Sequence, residues 1–234
     1  MAESFAISSE LPAKSLSEDV GNRIRTAIIE CKFKPGERLR LEHLCEMYGV
    51  GFSPVREALS RLCGNGLVVS ESQRGFKVAP ISLANLQDIT STRQDLEALI
   101  LRRAIEEGDA LWEANIVASF HLLSKTPHLR PDDGTLSESW VTAHKNFHFS
   151  LISAAQSKLL RQFWFMTFDH ADRYRRLAMT LGSHLRDDTT EHRNLMEAVI
   201  SRDVARSCEL SRLHIDTTLR LVLTTLSDTD AFGD

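Results

Sequence analysis

A mainly α protein in two parts, an N-terminal winged helix-turn-helix followed by an antiparallel six-helix bundle, is the fold class that three features of this chain predict. Two short stretches with one apolar face stand at 41–62 with a glycine between them. Two strand-like runs follow at 67–79, and from Ser82 onward only helical periodicity is found. The chain has 234 residues, room for one or two domains, and its 42% hydrophobic content supplies ordinary cores.

The elements follow in order. Residues 16–31 form an amphipathic helix with Val20, Ile24, Ala27 and Ile28 on one face, expected beneath the helix-turn-helix. Leu41, Leu44, Cys45 and Tyr48 share the face of a second helix that Gly49 ends. A third is expected to start at Ser53, whose hydroxyl can cap it, with Pro54 at its first position. Val55, Ala58, Leu59 and Leu62 are then its buried face. Ser53, Arg56, Glu57 and Ser60 are left opposite, where a helix inserted in a DNA groove needs polar groups. Gly66 closes it, and strands at 67–70 and 76–79 flank a loop containing Gln73-Arg74-Gly75. An arginine on such a tip suits phosphates or a minor groove, although the same architecture also occurs in domains that bind only protein.

Residues 79–82 read as a linker. Helices are expected at about 82–107, 109–125, 136–155, 158–181, 187–201 and 203–226, broken at Gly108, Thr126 to Gly134, Ser157, Gly182-Ser183 and Ser201 to Asp203. Short connections make these an antiparallel bundle. The domain expectation is a tail at 1–15, a DNA-binding domain at 16–80, a helical effector and metal domain at 81–226 and a tail at 227–234.

Charge and cysteines narrow the class. Residues 1–80 carry 11 Lys and Arg against 10 Asp and Glu, and residues 81–234 carry 17 against 22. DNA binding by so balanced a module relies on a few placed arginines and on a homodimer rather than on a broad basic surface. There is no signal-peptide pattern and no apolar run near 18 residues, so a cytoplasmic protein without membrane insertion is expected. Cys31, Cys45, Cys63 and Cys208 show no paired or finger spacing and read as reduced thiols.

Two constellations in the bundle carry chemistry. His144 and His148 are one turn apart, and His192 and His214 fall on apolar faces of later helices. Each is either a hydrogen-bonded core histidine or one of four ligands to a divalent transition metal, zinc first and nickel second. Arg93 lies on the apolar face with Leu86, Ile89 and Ile100, where it needs an anion: Glu97 one turn later, or a ligand carboxylate. Tyr174, with Arg173 and Arg176, is a further candidate for the ligand, at least one arginine being expected on a solvated or dimer-facing surface.

The runs PGERL, PVREALSRL, GLV and RGFKV resemble the GntR superfamily of bacterial transcription regulators in residue and spacing. By that resemblance Arg56 and the Arg74 loop are DNA-contacting positions, with Arg40 another. Relatives usually carry Ser-Arg-Thr before the proline; here Gly51-Phe52-Ser53 stands there. Either the operator preference differs, or Arg56, Ser53 and the wing with Gln73 supply most of the readout. The runs TRQDLEALILRRAI, HKNFHFSLI and EHRNLMEAVISRDVARSCELSRLH resemble the C-terminal ligand domain of the FadR subfamily, where an Asp and three His commonly hold a divalent metal. His148, His192 and His214 match the histidines, and His144 replaces the aspartate.

The resemblance implies a ligand-responsive repressor that binds double-stranded operator DNA as a homodimer, with Arg93 near the effector pocket. GVGFSPVREAL and HLLSK resemble regulators of carbon-starvation and glutarate-type catabolism, which implies a small carboxylate effector such as glutarate or 2-hydroxyglutarate. A metal-responsive regulator without an organic effector is the alternative. A metalloenzyme is a third class, but no general base stands beside His148 and the DNA module would be unexplained.

Overall fold

A computed structural model describes residues 15–71, 74–181 and 188–228, with side chains in the last stretch described to residue 226. It divides into two compact units, Met1–Pro80 and Ile81–Asp234.

In the first unit α1 (Leu16–Ile29) begins at Ser15, whose side chain accepts a hydrogen bond from the Glu18 amide. β1 (Arg38–Leu39) precedes α2 (Leu41–Tyr48), which ends at Gly49 in the left-handed region, φ 67°. α3 (Phe52–Gly64) is followed by β2 (Val68–Glu71) and β3 (Gly75–Val78). The sheet is antiparallel in the order β1-β3-β2, with Arg38 opposite Lys77 and Val69 opposite Lys77 on the other side. Val20, Ile24, Ile28, Leu44, Val55, Leu59 and Val78 fill one core, each fully buried. That closure buries the predicted faces of α1 and α3 and Leu44 of α2, with Leu41, Cys45 and Tyr48 half-buried, and leaves Ser53, Arg56, Glu57 and Ser60 exposed.

Three expectations need correction. α3 starts one residue early, at Phe52 with Gly51 as its cap, so Ser53 is not the capping residue and Pro54 is the third helical position; proline has no N–H there to lose from the ladder. β1 was not anticipated, because two residues carry no alternation and only their pairing with β3 makes them a strand. The paired residues of β2 and β3 are each displaced by one from the expected runs.

The described elements of the second unit are the helices α4 (Leu83–Glu107), α5 (Ala110–Lys125), α6 (Glu138–Ile152), α7 (Lys158–Thr180), α8 (Thr189–Ile200) and α9 (Val204–Asp228). Ser82, Asp109, Ser137 and Ser157 each cap the helix that follows through a side-chain oxygen. α4 packs on α9 and α7, α5 on α6, and α8 on α9. Ile100, Ile116, Trp140, Phe147, Trp164 and Val199 centre the larger core. α6 is shorter than the expected 136–155 because Leu136 is used in a bridge to Leu129 and Ser153 caps the far end. The expected break at Gly182-Ser183 lies outside the described residues.

Candidate functional site

α6 contributes His144 and His148 from one face, α8 contributes His192 and α9 contributes His214. All four imidazoles are buried, and one ring nitrogen from each lies within 4.8 Å of the others. Nε2 of His144 and Nε2 of His148 are 3.2 Å apart. His214 Nδ1 lies 2.9 Å from the Glu191 carboxylate and His192 Nδ1 3.4 Å from Asp188 Oδ1. A carboxylate only accepts, so it draws the proton to Nδ1 and turns the Nε2 lone pair of His214 and His192 toward the centre. Burial, then the neighbouring imidazoles and guanidiniums, hold His144 and His148 well below histidine's ordinary pKa and keep them neutral.

Neutral imidazole is a borderline donor suited to zinc, nickel, copper or iron rather than calcium or magnesium. Two nitrogens bound to one tetrahedral zinc at ~2.0–2.1 Å stand ~3.4 Å apart. The His144 and His148 pair already has nearly that spacing, and the remaining pairs, all within 4.8 Å, need draw in by at most ~1.4 Å. The buried Nδ1 atoms of both histidines have no hydrogen bond among the described residues. The donor set fits a metal ion.

Beside this cluster is a cavity of about 60 Å³ lined by Arg93, Trp140, His144, Phe168, Arg175 and His214, with the carboxylates Asp172 and Asp188, Thr218 and apolar residues of α7 and α9 completing it. Arg93 is buried. Its Nε donates to Glu97 at 3.4 Å, and its guanidinium carbon lies 4.8 Å from the Phe168 ring centre. Glu97 also accepts from Trp164 Nε1 at 3.2 Å, so Arg93 is both paired with Glu97 and part of the cavity lining.

Tyr174 is not in this lining. Its hydroxyl donates to Asn85 Oδ1 at 2.9 Å and lies 3.1 Å from the Ser82 amide, which donates to it. Arg176 is not solvated or turned to a partner either: it is buried and makes a bidentate pair with Glu138 at 2.7 and 2.9 Å. Arg173 is buried as well. The α7 residues that do line the cavity are Phe168, Ala171, Asp172, Arg175, Ala178 and Met179. Their spacing is that of one helical face, so Arg175, which sequence reasoning passed over, could have been found from Phe168 by counting two turns.

In the first unit, Arg56 and Ser53 are exposed on α3, and Arg61 pairs with Glu57. Phe52 is 55% exposed at the position where relatives usually carry arginine. Arg74 is exposed at the hairpin turn, its amide bonded to the Glu71 carbonyl, and Arg40 is exposed at the start of α2. Gln73 lies outside the described residues.

The model for bacterial regulatory proteins of the gntR family matches residues 16–78, and the FCD domain model matches residues 88–217. The uncharacterized HTH-type transcriptional regulator BphR of Paraburkholderia xenovorans is 38% identical over 224 residues, 94% of this chain and 91% of that protein. The chain belongs to the GntR family. Another relative, the HTH-type transcriptional repressor GlaR of Escherichia coli, is 36% identical over 203 residues, covering 85% of this chain and 92% of its own length. The solved structure of E. coli McbR/YncC has the same fold, with a TM-score of 0.78 at 19% identity over 90% of this chain and 98% of that one. This GntR-family protein is thus a DNA-binding transcription regulator and not an enzyme, and its FCD domain holds a four-histidine cluster that could bind a metal ion. Among the described residues no helix is long and apolar enough to cross a membrane.

Proposed function

We propose that the protein is a cytoplasmic homodimeric repressor that binds a pseudo-palindromic operator and responds to a small carboxylate bound beside a zinc ion. The observation that carries this reading is that a single cavity is shared by Arg93 and by two of the four clustered histidines, His144 and His214. His144, His148, His192 and His214 would hold the metal, which would supply a Lewis-acidic cation with open positions for a carboxylate oxygen. Arg93 offers its fork to the same anion. The cavity has room for several water molecules, at roughly 10–15 Å³ each, and so suits a compact acid. Glutarate and 2-hydroxyglutarate, which the family resemblance implies, are of that class. In the first unit Arg56, Ser53, Arg40 and the wing with Gln73 and Arg74 would contact the operator.

The test is a thermal-shift and operator-binding titration of the zinc-loaded chain with mono- and dicarboxylic acids. An acid that stabilises the protein and changes operator affinity, with the response lost in Arg93→Ala, supports the reading; stabilisation by no acid contradicts it. The pair between Arg93 and Glu97 favours a second reading, a metal sensor without organic effector, in which zinc alone changes operator affinity.

A further inference from the structure

We infer that Arg175 is a second cationic anchor of the cavity, so that the pocket selects acids with an anionic group at each end over acids with one. This rests on the carboxylate reading above. Two guanidiniums line the cavity, and they belong to different walls. Arg93 from α4 lies against Phe168, whereas Arg175 stands seven residues further along α7, an axial rise of ~10 Å. The Arg175 guanidinium carbon is 5.2 Å from the Trp140 ring centre. His144 stands between those walls, 4.7 Å from the Trp140 ring and 6.2 Å from that of Phe168.

Neither guanidinium is saturated. Among the described residues Arg93 donates only through Nε. Arg175 donates through Nε at 3.0 Å and through Nη2, both to one oxygen, Oδ1 of Asp172. Among the described residues its Nη1 makes no hydrogen bond, although the side chain is only 14% exposed. A planar fork that is mostly buried and half used matches an incoming carboxylate.

Asp172 lines the cavity too, but both of its oxygens are engaged: Oδ1 accepts from Arg175, and Oδ2 accepts from Arg176 Nε at 3.0 Å, with Arg176 in turn clamped by Glu138, so Arg175 keeps its Nη1 edge for a ligand. The cluster below adds to the preference: four neutral imidazoles bring no negative charge to a divalent ion, and a dianion offsets more of it than a monoanion.

The experiment uses the zinc-loaded full chain, titrated calorimetrically with glutarate and with pentanoate, which has the same number of carbons and one carboxylate fewer. Glutarate is expected to bind tighter by about tenfold to a hundredfold, the worth of a charge-assisted hydrogen bond. In Arg175→Gln that ratio falls to near one while pentanoate binding persists, which also shows the pocket intact. Should that variant not fold, Arg175→Lys, which keeps the charge against Asp172 but not the fork, is read the same way with a partial drop. Equal affinities in the unaltered protein, or a ratio unchanged in the variant that folds, overturn the role of Arg175 and leave the carboxylate reading standing. Binding of neither acid overturns both.

Discussion

His144 concentrates the chemistry of the bundle. It stacks on Trp140, faces His148 across 3.2 Å and borders the cavity, so one residue touches both the metal donor set and the ligand space. An aspartate there would bring a charge; the imidazole brings none, and burial keeps it neutral. A pH dependence follows. In the unfolded chain each histidine takes up a proton near 6.5, whereas in the folded chain His144 and His148 resist it well below that value. The unfolded state therefore binds more protons in acid, and the stability of the metal-free protein is full above about pH 6.5 and lost progressively below it. Thermal melting in a chelator should show a lower midpoint at about pH 5.5 than at about pH 7.5; a flat or inverted profile contradicts the neutral cluster. His148→Ala should lower zinc occupancy on elemental analysis, because it removes one of the four donors that would hold the ion. The i, i+4 pair was legible in the sequence because helical spacing alone brings it together. The convergence of His192 and His214 onto it depends on how three helices pack, which periodicity does not encode.

Helices were read well here because their apolar spacing is regular; their faces were read less well. On α7 the aromatic and basic types at 173, 174 and 176 drew attention, while the cavity face runs through Phe168, Asp172 and Arg175. Tyr174 instead ties α7 to the start of α4 at Ser82 and Asn85. Tyr174→Phe should cost about 1–2 kcal/mol in chemical denaturation and leave acid affinity unchanged; an altered acid affinity with full stability would return it to the pocket. At the junction of α4 and α5, a Cβ on Gly108 would lie 2.1 Å from the Trp112 ring, whose Nε1 donates to the Ser150 carbonyl. Gly108 has φ −74°, so the constraint is space rather than backbone conformation. Gly108→Ala should displace that ring and cost about 1–3 kcal/mol, read as a drop in melting temperature; unchanged melting would mean the ring has room to move. On α3 the exposed Arg56 should carry operator contact, and Arg56→Ala should weaken specific binding by about 1–3 kcal/mol with acid binding intact. Unchanged operator affinity would sink that assignment.

At the scale of the molecule, the protein joins a module that reads DNA to a domain built around a buried histidine cluster. The two compact units divide after Pro80. What makes such a protein a switch is a difference in ligand affinity between its DNA-competent and incompetent arrangements, and by linkage operator binding must change acid affinity by the same factor. The most direct test is fluorescence anisotropy of the zinc-loaded chain on its operator during titration with glutarate, in parallel with Arg93→Ala. The account predicts that the acid shifts operator affinity of the unaltered protein by about fivefold or more and leaves the variant unmoved. Operator affinity that stays constant while the same acid demonstrably binds and stabilises the protein would contradict it.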